Sequence, residues 1–384
     1  MPVEVRVGQL LAGYNLYTIR EGEDATLVTR ELVSSEDADL YRSRVDDGIP
    51  KALLSCLPED KADQLLPVRY MVALLRPDTT ATLYLDTIPD DLKPVLHVTM
   101  KRVRGADEPV TPDDIADVDK LEYQGINFPP DAGIVIIFNA GRRNGFFYDL
   151  TPLVEDRSPR EFDVEKSLGY FFCYLSQQHL FEIDDADWQF MFAGRWFPFA
   201  TLKVDTRRQL VERSKARLPL DDLLPDVAAE VHAGCENLKA RIKAHSVFSA
   251  HSALLERAVD RYAEGDYISS TAILYPRIEG IMRSLHKLGG PATQKATQPV
   301  LAAAAVQSLN VDKSGFLLLP EKFRDYLDKV YFAKFDPNSP AVLSRNSVGH
   351  GVAEQAEYDQ KAATIGLLIV VQISYFLPDE NANP

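Results

Sequence analysis

The chain has 384 residues, of which 46% are apolar and 26% charged, a balance that excludes a disordered or fibrous protein and leaves room for two domains. Its 42 Lys+Arg against 57 Asp+Glu give a net charge of −15, which excludes a protein that holds nucleic acid through overall charge. Three widely spaced cysteines, Cys56, Cys173 and Cys235, make no disulfide framework and point to a reducing, cytoplasmic setting. The N-terminus lacks a basic region followed by an apolar run, so no signal peptide is expected. The strongest apolar stretch, 364–377, is too short to span a bilayer and carries Gln372, so a buried helix and no membrane partner are expected.

Residues 1–240 hold 27 basic and 42 acidic side chains, whereas residues 241–384 hold 15 of each. A shift of that size predicts a domain boundary near residue 240. The first part alternates β-branched and aromatic runs with turn signals, which predicts strands at 25–32, 80–88, 95–103, 133–140, 145–153 and 188–204. Between the fourth and fifth of these, Asn144-Gly145 predicts a hairpin, whose tip carries Arg142 and Arg143 as surface side chains or as phosphate contacts. Amphipathic stretches at 60–75 and 164–179 predict helices, so residues 1–240 are expected to form an acidic α+β domain with a sensing or regulatory role. The basic run 207–217 is expected to be a solvated helix face.

Familiar chemistry is sparse in this part. It has no nucleophile elbow, phosphate-binding loop, dinucleotide fingerprint or zinc-protease motif. Glu59-Asp60-Lys61 has a nuclease-like spacing but reads better as the first turn of a helix. Asp184, Asp185 and Asp187 lack the spacing of a calcium loop and read as a solvated turn. His232, Cys235, His245 and His251 lack the paired Cys/His spacing of structural zinc, so no metal is expected.

From about residue 248 the pattern becomes helical. Apolar residues from Leu254 to Tyr262 recur at helical spacing, and Gly265 ends the run. A second helix is predicted from Asp266, as N-cap, to Leu288, kinked or divided by Pro276. Within it Glu279 and Arg283 stand four apart, either as a plain surface pair or in support of a nearby site. Helices at 298–309 and 320–334, a polar loop at 335–340 and a last helix at 354–377 complete an expected bundle.

Before that last helix lies Arg345-Asn346-Ser347-Val348-Gly349-His350-Gly351. Asn follows the Arg, Gly follows the His, and no other Arg in the chain has a His five to seven positions downstream. Together with the kinked helix carrying PRIEGIMR (276–283), this arrangement resembles the HEPN-domain ribonucleases of bacterial toxins and anti-phage abortive-infection proteins. The resemblance covers about residues 248–377. Its motif is an Arg, usually a polar residue next, then a His, and Arg345, Asn346 and His350 match it. The resemblance implies catalysis without metal or cofactor, in a homodimer whose two motifs face each other. Residues 1–240 carry no family resemblance.

The chemistry of these residue types suits RNA, whose 2′-hydroxyl is an internal nucleophile that DNA lacks. An imidazole such as that of His350 can act as base or acid near neutrality. The Arg345 guanidinium can hold two phosphate oxygens. Asn346 could bind a phosphate oxygen or orient the imidazole. One His cannot serve both sides of one phosphate, so both side chains are expected in a solvent-reachable groove shared by two copies. The expected function is a metal-independent endoribonuclease acting on single-stranded or tRNA-like RNA, a toxin or defence effector under a protein trigger or inhibitor. The alternative is a non-catalytic HEPN-like dimerisation module whose N-terminal domain recognises a protein partner. In that case Arg345 would cap helix carbonyls and His350-Gly351 would form a turn.

Overall fold

The computed structural model describes residues 2–8, 28–58, 69–85, 92–105, 107–154, 158–289, 295–307, 314–335 and 342–377, and the fold is mixed α+β. The chain divides into two compact units, Met1–His97 with Lys120–Gln178, and Val98–Asp119 with His179–Pro384. The composition change near residue 240 therefore lies inside the second unit. Surface charge changes there while the apolar core runs on without a break.

In the first unit, strands β1 (Val3–Arg6), β2 (Arg30–Ser34), β3 (Met71–Leu75), β4 (Thr80–Leu85), β7 (Gly133–Ala140) and β8 (Arg143–Asp149) form one sheet in the order β1-β4-β3-β7-β8-β2. Every pairing in it is antiparallel. Helices α1 (Ala38–Asp46) and α2 (Ile49–Leu54) lie on one side, where Leu53, Met71, Leu83, Ile137 and Phe146 form a core. Helix α3 (Val164–Ser176) lies on the other, where Val72, Ile136, Phe138, Phe147 and Leu168 form a second. Burial on both faces is why β3 and β7 read as continuous apolar runs rather than alternating ones.

The structure corrects several expectations here. Of the helix expected over 60–75, residues 59–68, with Glu59-Asp60-Lys61, lie outside the described residues, and 71–75 are strand β3. The β7–β8 turn is Gly141-Arg142, not Asn144-Gly145: Ala140 pairs with Arg143, and Gly141 takes φ +72°, as the first central position of a type II′ turn requires. The Arg143 guanidinium is tied within its own unit, donating to Leu175 O at 2.7 Å and to Glu36 at 2.8 Å.

A ribbon of β5 (Pro94–Met100) and β6 (Ile115–Tyr123) supplies residues to both units. The second unit is otherwise helical: α4 (Asp185–Ala193), α5 (Val204–Lys215), α6 (Leu224–Ala233), α7 (Cys235–Ala244), α8 (Ser252–Ala263), α9 (Tyr267–Gly289), α10 (Gln298–Ala304), α11 (Pro320–Tyr326), α12 (Arg345–His350) and α13 (Gln360–Ser374). A wide helical turn, Leu327–Tyr331, extends α11. The strand expected at 188–204 is not formed. Asp184 caps α4 by accepting from Asp187 N at 2.7 Å, and the aromatic residues that suggested a strand fill a helical core. In that core Phe197 and Phe323 ring centroids stand 5.4 Å apart, and Phe323 and Phe376 stack at 6.2 Å.

The basic run at 207–217 is not wholly a solvated face. Arg207 is completely buried and donates to Pro198 O and to Leu317 O at 2.7 Å. The N–H of that same Leu317 donates to buried Asp117 Oδ1 at 2.8 Å. Burial pushes the Asp117 carboxyl up to about 7.

Helix α9 runs unbroken through Pro276, because Leu274, Tyr275, Ile278 and Ile281 on both sides of it are buried in one core. Asp266 caps it as expected, accepting from Ser269 N at 3.0 Å. Helix α10 ends at Ala304, short of residue 309, and the loop 336–340 lies outside the described residues. Helix α13 starts at Gln360 rather than 354 and is buried all round. Its Gln372 is satisfied by Ala200 N and Leu318 O, both at 2.9 Å. No helix among the described residues is long and apolar enough to cross a membrane.

Candidate functional site

Arg345-Asn346-Ser347-Val348-Gly349-His350 is not a loop but the short helix α12. Its ends are written locally. Ser344 accepts from Ser347 N at 3.2 Å while its own N–H donates to Ser347 Oγ at 2.8 Å, a reciprocal cap. At the other end Gly351 takes φ +68° and stops the helix.

Arg345, half-buried, opens the helix and pairs through Nε with Glu279 of α9. Glu279 is 5% exposed, and its other carboxylate oxygen accepts from Arg283 Nε at 2.8 Å and Nη2 at 2.6 Å. Glu279 and Arg283 are thus not a plain surface pair. A buried carboxylate holds two guanidinium groups, one of them Arg345, leaving one net positive charge facing outward. Gly349, one turn after Arg345, is the seat of that side chain. A Cβ at 349 would stand 3.1 Å from Arg345 Nη1.

Asn346 takes a structural place. Its Nδ2 donates to Phe332 O at 2.9 Å and Ala333 O at 3.3 Å, and its Oδ1 accepts from Gln298 Nε2 at 2.7 Å. The capping of helix carbonyls that sequence alone offers to Arg345 is done by Asn346, which ties α10 and the 327–331 turn to α12. Its amide thus has partners within the chain on both its oxygen and its nitrogen.

His350 is exposed, and its ring lies 5.4 Å from that of Phe335. Residues five apart on a helix leave it about 140° apart. Within one chain, Arg345 and His350 therefore diverge rather than converge on one point, against the simplest picture of a shared groove.

Sequence reasoning missed Gln298, Gly349 and Phe335. Only Gly349 carried a signal, as a glycine one turn after the motif's Arg. Leu343 N, just before α12, donates to Glu357 at 3.4 Å, and Glu357 lies 3.7 Å from Arg195. The other candidates disperse. Asp187 pairs with Arg217 at 2.6 Å, His232 lies on α6 and Cys235 on α7, and His245 and His251 lie between α7 and α8. Among the described residues no three His, Cys, Asp or Glu gather as metal ligands. Comparison with protein-family models, with curated proteins and with solved structures gives no match for this chain.

Proposed function

We propose that this protein is a metal-independent endoribonuclease of the HEPN type, a toxin or phage-defence effector that acts on single-stranded or tRNA-like RNA as a homodimer. The observation that carries the reading is the buried Glu279 carboxylate holding Arg345 at the start of α12 while His350 stays exposed. Burying a carboxylate is costly unless it is paired. Here it positions a cation whose Nη groups, among the described residues, have no hydrogen-bond partner.

In the proposed reaction one His350 takes the proton from the RNA 2′-hydroxyl, and the oxygen attacks the adjacent phosphorus. Arg345 stabilises the added negative charge on the non-bridging oxygens. The bond from phosphorus to the 5′-oxygen then breaks, and the second copy's imidazole protonates the leaving oxygen. The products are a 2′,3′-cyclic phosphate and a 5′-hydroxyl. The divergence of Arg345 and His350 on α12 favours a site shared by two copies, in which one phosphate meets both His350 imidazoles and an Arg345 guanidinium.

Incubating purified protein with total RNA and tRNA in EDTA tests this. Cyclic phosphate ends that disappear in Arg345→Ala and His350→Ala are expected. Cleavage that needs a divalent ion, or survives His350→Ala, removes the assignment. A second reading, a non-catalytic dimerisation module with a protein partner and no RNA cleavage, is favoured by the structural use of Asn346. Growth arrest on expression, relieved by His350→Ala, separates the two in favour of the enzyme.

A further inference from the structure

The PRIEGIMR segment of α9 presents two stripes. Glu279 and Arg283 form the one that meets Arg345. Arg277, Gly280 and Ser284, at i, i+3 and i+7, form another about 100° further round the helix. His251, just before α8, lays its ring on the middle of this second stripe. A Cβ at Gly280 would stand 2.7 Å from His251 Cε1, so only glycine leaves room for the imidazole. His251 Nε2 lies 3.3 Å from Ser284 Oγ, which also donates to Gly280 O at 3.2 Å.

Arg277 is half-buried and, among the described residues, has neither a carboxylate nor a hydrogen-bond partner. The one acid close by on the helix, Glu279, is taken by Arg283 and Arg345. Burial first, and the Arg277 charge second, hold the His251 imidazole below its ordinary range. Arg277 thus carries a positive charge that no described acid pairs, in the field of a neutral imidazole, and an anion would pair it. The guanidinium fork suits two oxygens of one phosphate, and the Ser284 hydroxyl, turned from Gly280 O towards the ligand while accepting from His251 Nε2–H, can donate to a third.

We propose that Arg277, His251 and Ser284 form a second phosphate subsite, which takes a backbone phosphate of the RNA strand away from the one being cut. The ligand assignment rests on the ribonuclease reading. The subsite contributes affinity and register and takes no part in bond breaking, as backbone contacts do in nucleic-acid recognition generally.

The test uses the full-length protein and a short fluorescein-labelled 2′-O-methyl oligoribonucleotide, which has no free 2′-hydroxyl and cannot be cut. Anisotropy titrations over a range of salt compare wild type with Arg277→Ala, Arg277→Lys, Ser284→Ala and Gly280→Ala, each checked for an unchanged melting temperature. Arg277→Ala is expected to weaken binding about tenfold and to reduce the salt slope by about 0.7. Arg277→Lys should keep the slope but lose part of the affinity, since an ammonium makes no bidentate contact. Gly280→Ala, which displaces the imidazole without touching a charge, should weaken binding about threefold at unchanged slope. With unmodified RNA, Arg277→Ala should raise KM and leave kcat alone.

Binding and slope in Arg277→Ala equal to wild type would overturn the proposal, as would failure of the wild type to bind, or displacement of the oligonucleotide by a polyglutamate peptide of equal charge. Arg277-dependent binding without cleavage of unmodified RNA keeps the subsite and removes the nuclease. His350-dependent cleavage with Arg277→Ala binding as wild type does the reverse.

Discussion

Replacing Glu279 by Gln removes the carboxylate that Arg283 and Arg345 share while keeping its shape. The Arg283 arm ends in a half-exposed guanidinium, 49%, so solvent screening holds it to about 0.5 kcal/mol. The Arg345 arm joins a 7% exposed acid to a 28% exposed base, so solvent screens it only in part. A partly buried ion pair lies between the about 0.2–1 kcal/mol of exposed pairs and the about 3–5 kcal/mol lost on breaking a buried one, and its exposure places this one at about 1.5 kcal/mol. The total expected for Glu279→Gln is therefore about 2 kcal/mol. Urea unfolding of Glu279→Gln, Arg345→Met and the double variant, compared at constant m, gives the coupling between the two side chains. A coupling of about 1–2 kcal/mol is expected, because either single change already breaks the pair. Costs that add to within about 0.5 kcal/mol would refute the claim that Glu279 positions Arg345. RNA cleavage should fall at least about tenfold in Glu279→Gln, since a loss of 1.4 kcal/mol in transition-state stabilisation has that effect.

Three other outcomes follow from the packing. Gly349→Ala brings a methyl to 3.1 Å from Arg345 Nη1 on an exposed helix position. Its melting temperature should hold while cleavage falls severalfold, and unchanged kinetics would dismiss Gly349 as the seat of the guanidinium. Asn346→Ala leaves Phe332 O and Gln298 without their partner and should cost about 2–3 kcal/mol, with substantial cleavage retained below the transition. Full loss of activity at wild-type stability would instead put Asn346 in the chemistry. Asp117 keeps its proton up to about pH 7 when folded but loses it near pH 4 when unfolded. The folded state then binds more protons across that window, so this carboxyl makes stability decline as pH rises from about 4 to about 7. Asp117→Asn should remove the decline and gain on wild type as pH rises, read from urea midpoints, and a pH-independent difference between the two would sink the argument.

Local signals carried much of what the chain is. The runs of β7 and β8 and the helices α3, α8 and α9 announce themselves through β-branched density, period and caps, which act within a few residues. Helix α12 is legible too, since Ser344 and Ser347 are start signals and Gly351 a stop signal. The motif's Arg and His, their spacing and the presence of Glu279 and Arg283 were all in plain view.

What tertiary structure decided is which partner each side chain meets. The aromatic stretch after Asp184 looks like a strand until the helical core that absorbs its rings is present. Arg207 belongs to a basic run that looks solvated until two backbone carbonyls receive it in the interior. Asn346 turns from a motif residue into a clamp because Gln298, 48 positions earlier, and Phe332 happen to face it. Propensity, period and capping are properties of neighbours in the chain and are written there. Burial, pairing and the direction in which Arg345 and His350 leave α12 come from contacts between distant segments, which only the folded chain brings together.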